Sequence, residues 1–235
     1  MRIIECEQGT PQWLDARAGR PTASKFSDIV TPSTCKASAS QGPYRAHLLA
    51  EWFLGVPIDE GRSQFMERGT EMEEEAVAWY ELTTGRNVRK VGLCLHDTLD
   101  AGASPDRLVD DDGCLEIKCP SAVRHMEYLL GVAIDAKYRC QLQGQLWVTG
   151  RRWVDILSYH PVMPKQVTRV DRDDAFIATL AAEVTKFCVS LEDARSVFQA
   201  DRDAYHEAKA AAHQNTAPED DPFASVNHDE QPSFG

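Results

Sequence analysis

The run Asp110-Asp111-Asp112-Gly113 falls between two apolar stretches, Ala101–Val109 and Cys114–Cys119. Acidic residues closing on a glycine are a strong reversal signal, so the pattern predicts two strands joined as a hairpin. The hairpin constrains the rest of the chain because it decides which side chains share a face. Asp106 precedes the turn, and Glu116-Ile117-Lys118 follows it. Side chains alternate along a strand, so Glu116 and Lys118 lie on one face. A three-residue loop, Asp110–Asp112, sets Asp106 opposite Glu116 and facing the same way. A loop of two or four residues turns Asp106 to the other face unless a bulge intervenes. Pro105 makes the first stretch an edge or irregular strand.

Two carboxylates brought together in this way can hold a hard divalent cation through oxygen. An ammonium beside them suits attack by water on a phosphodiester. The plain alternative is a surface hairpin carrying a Glu–Lys pair.

Around the hairpin, hydrophobic periodicity predicts helices over Thr22–Val30, Tyr44–Leu54, Phe65–Leu82, Ser121–Leu130, Ala136–Val148 and Asp173 to about Ala212, the last in one or two pieces. Strands are expected over Val88–Leu95, Trp153–Tyr159 and Gln166–Val170. Thr31–Pro43, rich in Ser, Thr and Ala, reads as a loop. This order implies a mixed α/β core, a central sheet flanked by helices. With 235 residues, one domain over 1–214 is expected. Residues 215–235, acidic and poor in apolar side chains, are expected to be a disordered tail.

No run approaches the ~18 apolar residues that span a bilayer, and the N-terminus lacks a signal-peptide core, so a cytoplasmic protein with no membrane association is expected. Seven scattered cysteines (6, 35, 94, 114, 119, 140, 188) include no C-x-x-C pair. They read as reduced thiols rather than a disulfide frame or a zinc site. The net charge of −12 argues at first against a nucleic-acid partner. Half of that excess lies in residues 201–235, where eight acids face two bases.

Further polar groups fall on the helices. Glu73, within the acidic run Glu71–Glu75, either points inward as another carboxylate or belongs to a solvated face. Tyr138, Gln141 and Gln145 share one face by their spacing. They form either ordinary polar surface or part of a site, while Leu142, Leu146 and Trp147 supply the buried stripe.

Six blocks in order carry a family resemblance: Trp13-Leu14-Asp15-Ala16-Arg17, Pro21-Thr22-Ala23-Ser24, Arg68-Gly69-Thr70-Glu71-Met72-Glu73, Ser104-Pro105-Asp106, Leu115-Glu116-Ile117-Lys118-Cys119-Pro120, and Tyr138-Arg139-Cys140-Gln141 running on to Leu146-Trp147-Val148-Thr149. The chain resembles the phage lambda exonuclease or YqaJ-type viral recombinase family of the PD-(D/E)XK nucleases, and so a restriction-endonuclease-like fold. The resemblance implies that Asp106, Glu116 and the Ile117 carbonyl hold metal, two Mg²⁺ per site with Mn²⁺ as a substitute. It implies that Lys118 orients or activates water, that Glu73 is an additional acid, and that Gln141 and Tyr138 complete the wall. Arg17, Ser24 and Ser104 match positions that hold a 5′-terminal phosphate. Met66 lies near the family's apolar wedge, or is a helix-core methionine.

The implied activity is 5′→3′ exonucleolysis of double-stranded DNA ends, leaving 3′ single strands for phage recombination. A ring of three subunits is the implied assembly. The acidic tail is either solvating disorder or a docking motif for a single-strand annealing or single-strand-binding protein. The alternatives are an endonuclease on the same fold and a catalytically idle DNA-end clamp.

Overall fold

The computed structural model describes residues 1–34, 36–58, 64–133 and 136–214, without the side chains of 64–71, 137, 213 and 214. The elements run β1 (Arg2–Ile4), α1 (Pro11–Arg17), a 3-10 turn (Ala23–Lys25), α2 (Phe26–Ile29), α3 (Gln41–Leu54), α4 (Gln64–Thr84), β2 (Val88–Arg89), β3 (Leu93–Leu95), β4 (Gly102–Ala103), β5 (Arg107–Val109), β6 (Gly113–Lys118), α5 (Ala122–Leu129), α6 (Ala136–Thr149), β7 (Trp153–Ser158), β8 (Gln166–Asp171) and α7 (Asp174–Gln214). Residues 1–196 form one compact unit, and the described residues from Val197 to Gln214 belong to a second.

The first unit holds a mixed sheet in the order β2-β5-β6-β7-β8, in which only β6 and β7 run parallel. The parallel step requires a crossover, which α5 and α6 supply. The sheet is covered on both faces, so its central strands are buried along their length except at Lys118, the partly exposed end of β6. Leu115, Ile117, Trp153 and Leu157 pack with Ala76, Val77 and Tyr80 of α4. On the other face Cys114, Val154 and Ile156 join a core with Leu142 and Leu146 of α6, Phe26 of α2 and Leu180 of α7. A mixed α/β core with a central sheet flanked by helices is the architecture the sequence leads one to expect.

Two expected strands are each divided. Val88–Leu95 becomes β2 and β3, which belong to different sheets. The break falls at Gly92, where a Cβ would come within 2.5 Å of the Cys6 carbonyl oxygen. Ala101–Val109 becomes β4, in an antiparallel sheet ordered β1-β3-β4, and β5. Here the cause is Pro105, which has no N–H for a ladder. β1 and α1 escape the sequence reading because they are short. Within the stretch expected as a loop, Thr31–Pro43, Ala37 bridges back to Val30 and α3 starts at Gln41. Pro43 sits in the first turn of α3, where a missing N–H costs no helical bond.

Candidate active site

β5 pairs with β6 through Arg107↔Leu115, Leu108↔Cys114 and Val109↔Gly113. The loop is therefore the three residues Asp110–Asp112. Asp110 turns the chain with a φ of 44°, and its carboxylate accepts from Arg86 Nη1 at 2.7 Å and from the Asn87 N–H at 3.1 Å. Arg151 locks the same turn, its Nη1 donating to the carbonyls of Val109, Asp110 and Gly113. Continuing the register by one pair sets Asp106 against Glu116, and by a second sets Pro105 against Ile117.

That second pair explains the notch at the site. Lys118 turns its carbonyl to β7's side, accepting from the Tyr159 N–H at 2.8 Å, so Ile117 turns its backbone groups to the β5 side. There Pro105 offers no N–H. The Ile117 N–H donates instead to Asp106 Oδ2 at 2.5 Å, and the Ile117 carbonyl faces the same notch. Gln8 Nε2, donating to the Pro105 carbonyl at 2.9 Å, fixes this irregular segment.

Glu116 is buried and held by three donors. Lys118 Nζ and Gln141 Nε2 reach its Oε1 at 2.6 and 2.7 Å, and Gln145 Nε2 reaches Oε2 at 2.7 Å. Lys118 Nζ also lies 4.9 Å from the centre of the Tyr138 ring. Burial, reinforced by the charge of Glu116, pushes the Asp106 carboxyl well above the ordinary carboxylate range, against the pull of Lys118. Burial acts to lower the Lys118 pKa, but Glu116 and Asp106 outweigh it and hold the group above its usual value. Lys118 is thus an ammonium that offsets negative charge.

Glu73 reaches this cluster through Arg107, whose Nη1 donates to Glu73 Oε1 at 2.5 Å and to the Asp106 carbonyl at 2.7 Å. Its Nη2 takes Glu74 at 2.9 Å. Arg107 thereby ties α4 to the segment that carries Asp106. The sequence reading missed Arg107; a lone cation in the otherwise apolar Arg107-Leu108-Val109 was the available signal. It placed Gln145 beside Gln141 but gave it no role.

The second group is Arg17, Ser24 and Ser104. Arg17 Nη1 reaches Ser104 Oγ at 3.4 Å, and Nη2 reaches Thr22 Oγ1 at 3.2 Å and Ser24 Oγ at 3.4 Å. The guanidinium lies 4.2 Å from the Trp13 ring centre, and Trp13 Nε1 also donates to Ser104 Oγ. Thr22 and Trp13 join the three residues named from the sequence. Burial lowers the Arg17 pKa, and no described carboxylate pairs with it. The Met66 side chain lies outside the described residues.

The donor set can be tested against a metal. Asp106 Oδ1 accepts from no described residue, one position on Glu116 Oε2 is left, and the Ile117 carbonyl lacks a ladder donor. These are all oxygens, which fits Mg²⁺ rather than zinc. Among the described residues no three His, Cys, Asp or Glu side chains form a cage. Mg²⁺ does not need one, since it binds through one or two carboxylates and keeps several waters.

With this geometry in view, residues 12–152 match the YqaJ-like viral recombinase domain, and the chain belongs to that family. An alkaline exonuclease from Laribacter hongkongensis is 38% identical over 86% of this chain and 99% of its own, with a TM-score of 0.70. The same enzyme in complex with dAMP gives the same values. A phage-related exonuclease from Haemophilus somnus 129PT shares the fold, with a TM-score of 0.56 at 14% identity over 76% of this chain and 96% of its own. No curated protein matches the sequence. Among the described residues, no helix is long and apolar enough to cross a membrane.

Proposed function

We propose that this protein is a Mg²⁺-dependent 5′→3′ exonuclease acting on double-stranded DNA ends. Family membership, and the exonuclease activity named for the Laribacter relative, support a DNA exonuclease. The observation that carries the polarity is Arg17. A half-buried guanidinium surrounded by the hydroxyls of Thr22, Ser24 and Ser104, with no described carboxylate partner, calls for an anion. A terminal 5′-phosphate supplies one and makes charge-assisted bonds with the fork. Ser104 stands two residues before Asp106, so a phosphate held there presents the next phosphodiester to Asp106, Glu116 and Lys118.

Asp106, Glu116 and the Ile117 carbonyl would hold Mg²⁺, which supplies an activated water and offsets charge on the attacking and leaving oxygens. Lys118 offsets charge gathering on the phosphate and orients water. Gln141 and Gln145 hold the Glu116 carboxylate in place, and Tyr138 flanks the ammonium. Glu73, held by Arg107, adds negative charge beside Asp106.

The reading extends, on the resemblance alone, to a trimeric ring and to phage recombination in the bacterial cytoplasm with a single-strand annealing or single-strand-binding protein. Residues 215–235, outside the described residues, are the proposed contact for that partner. Solution mass tests the ring. Deleting residues 216–235 should weaken partner binding and leave nuclease activity intact.

The direct test incubates linear duplex, with and without a 5′-phosphate, with Mg²⁺ and wild type or Lys118→Ala. The expected result is mononucleotide release from phosphorylated ends, abolished by the substitution. Cutting of closed circles would instead indicate an endonuclease. End binding without hydrolysis would indicate a clamp.

A further inference from the structure

Arg17 closes α1, while Thr22 and Ser24, which its guanidinium meets, stand on the returning limb of the turn that follows. The pocket around Arg17 is therefore built across two limbs of one turn. The Arg20 N–H donates to the Arg17 carbonyl at 2.9 Å, and Thr22 bridges Gly102 of β4 on the way back. Gly19 lies at the bend, buried, with a φ of 75° that suits glycine. It sits so close to α3 that a Cβ would come within 3.0 Å of Trp52 Cβ and 3.3 Å of the Leu48 carbonyl oxygen.

Both backbone groups of Gly19 are taken by buried, charged side chains. Its N–H donates to Glu51 Oε2 of α3 at 2.8 Å, and its carbonyl accepts from Arg195 Nη2 of α7 at 2.6 Å. The other Glu51 oxygen accepts from the Ile58 N–H at 3.1 Å and faces His47 Nε2 at 3.3 Å. Arg195 Nη1 donates to Asp100 Oδ2 at 3.0 Å and to Glu192 Oε2 at 3.2 Å. Asp100 takes Arg20 Nε on its second oxygen at 2.6 Å, and Arg20 Nη1 returns to the Ala16 carbonyl. Burying charges in this way returns little net stability once their desolvation is counted. Arg195 Nε is even left without a partner among the described residues. A backbone gripped from both sides at that cost is a backbone whose position matters.

We propose that Glu51 and Arg195 are positioning residues for the terminal phosphate. Holding Gly19 from α3 and from α7, they fix the separation of Arg17 on one limb from the Thr22 and Ser24 hydroxyls on the other. The inference rests on the reading of that pocket as a 5′-phosphate site. Among the described residues neither side chain bonds to Arg17, Thr22 or Ser24, so each acts through the backbone. A fork of donors and a set of hydroxyls meet one anion only at the right spacing, and a misplacement of about 1 Å can cost on the order of 100-fold.

The test compares single-turnover cleavage of 5′-phosphorylated and 5′-hydroxyl duplexes by the full chain with Mg²⁺. Arg195→Met should reduce the preference for the phosphorylated end by about tenfold, the scale of one charge-assisted bond lost at the phosphate. It should do so by slowing that end while the hydroxyl end stays near the wild-type rate. Arg195→Lys keeps a donor for the Gly19 carbonyl and should keep most of the preference. Glu51→Leu and Glu51→Gln remove the same charge, but only the glutamine keeps an acceptor for the Gly19 N–H. A field acting from a distance would raise the preference equally in both; the clamp lowers it in the leucine variant and spares the glutamine. Asp100→Ala unties Arg195 from Arg20 at a partly exposed position. Its preference should narrow too, and it serves if the buried variants do not fold. Equal slowing of both ends in the folded variants overturns the proposal, as does an unchanged preference. If wild type cuts both ends alike, the terminal-phosphate reading itself fails and the clamp's role with it.

Discussion

Gln145 Nε2 donates to Glu116 Oε2 at 2.7 Å, one helical turn from Gln141, which donates to the other oxygen. Two amides on one helix therefore grip both oxygens of a buried carboxylate. Gln145→Leu removes a hydrogen bond to a charged group, worth about 1.5–3 kcal/mol. The Mg²⁺ concentration for half-maximal activity should rise by roughly 10- to 100-fold, with the KM for DNA nearly unchanged. Gln145→Glu should be worse, since it faces a buried carboxylate with another. Metal titrations of the nuclease rate check both.

Asp106 gives a prediction about pH. Its folded-state pKa is raised, first by burial and then by Glu116. For an acid raised on folding, the protonated form favours the native state. Its contribution is fully present below the ordinary carboxylate range and is lost as pH rises through the raised value. Asp106→Asn removes that loss. In the presence of a chelator the variant should melt higher than wild type at neutral pH, and the gap should shrink toward pH 4. The same variant should be inactive. Thermal melts across that range, with EDTA, decide the matter.

Arg17 should govern the choice of substrate end. Arg17→Ala leaves the three hydroxyls without the fork that holds a phosphate. Discrimination between 5′-phosphorylated and 5′-hydroxyl duplexes should drop by roughly 10- to 100-fold, the range for charge-assisted bonds. Arg17→Lys should recover only part of it, because an ammonium does not present a planar fork. Cleavage rates on the two ends, compared for each variant, provide the measure.

The hairpin shows how far the sequence could be read. The acidic turn, the alternation around it and the face shared by Glu116 and Lys118 were legible, because strand periodicity is local. The three-residue loop was one of several possibilities. What selects it is distant in sequence: Arg86 and Asn87 on Asp110, and Arg151 on three carbonyls. The glutamines of α6 show the same limit. Spacing put Gln141 and Gln145 on one face, but only the packing of α6 over β6 turns that face inward. Gln143, on a different face, is buried as well, bonded to the Asp171 carbonyl and the Asp173 N–H. Polar residues with long-range partners leave no periodic trace.

Arg151 lies away from the chemistry, yet it should matter to activity. Its Nη1 closes the turn against three carbonyls. Arg151→Leu leaves them short of a donor at about 1–3 kcal/mol per buried group left unsatisfied. The melting temperature should fall by several degrees. The nuclease rate at a temperature where the variant remains folded should fall too, because the register that sets Asp106 against Glu116 is no longer braced. A variant that loses stability with an unchanged rate would show that β6 and β7 hold the register without it.

Pro105 sets stability against function. Opposite Ile117 it supplies no N–H, so β5 stops short, the Ile117 N–H turns to Asp106 and the Ile117 carbonyl stays available. Pro105→Ala restores a donor at that position and lets the ladder run one pair further. The added backbone bond is worth about 0.5–1.5 kcal/mol, offset in part by the greater freedom of the unfolded chain. It consumes the carbonyl that would face the metal and displaces the Asp106 carboxylate from the Ile117 N–H. The variant should therefore keep its fold with a melting temperature equal to or above that of wild type, bind Mg²⁺ more weakly, and cleave at least tenfold more slowly at a fixed metal concentration. Excess Mg²⁺ should recover part of the rate. Calorimetric melting, paired with a metal titration of cleavage, separates this outcome from simple unfolding, in which both quantities would fall together.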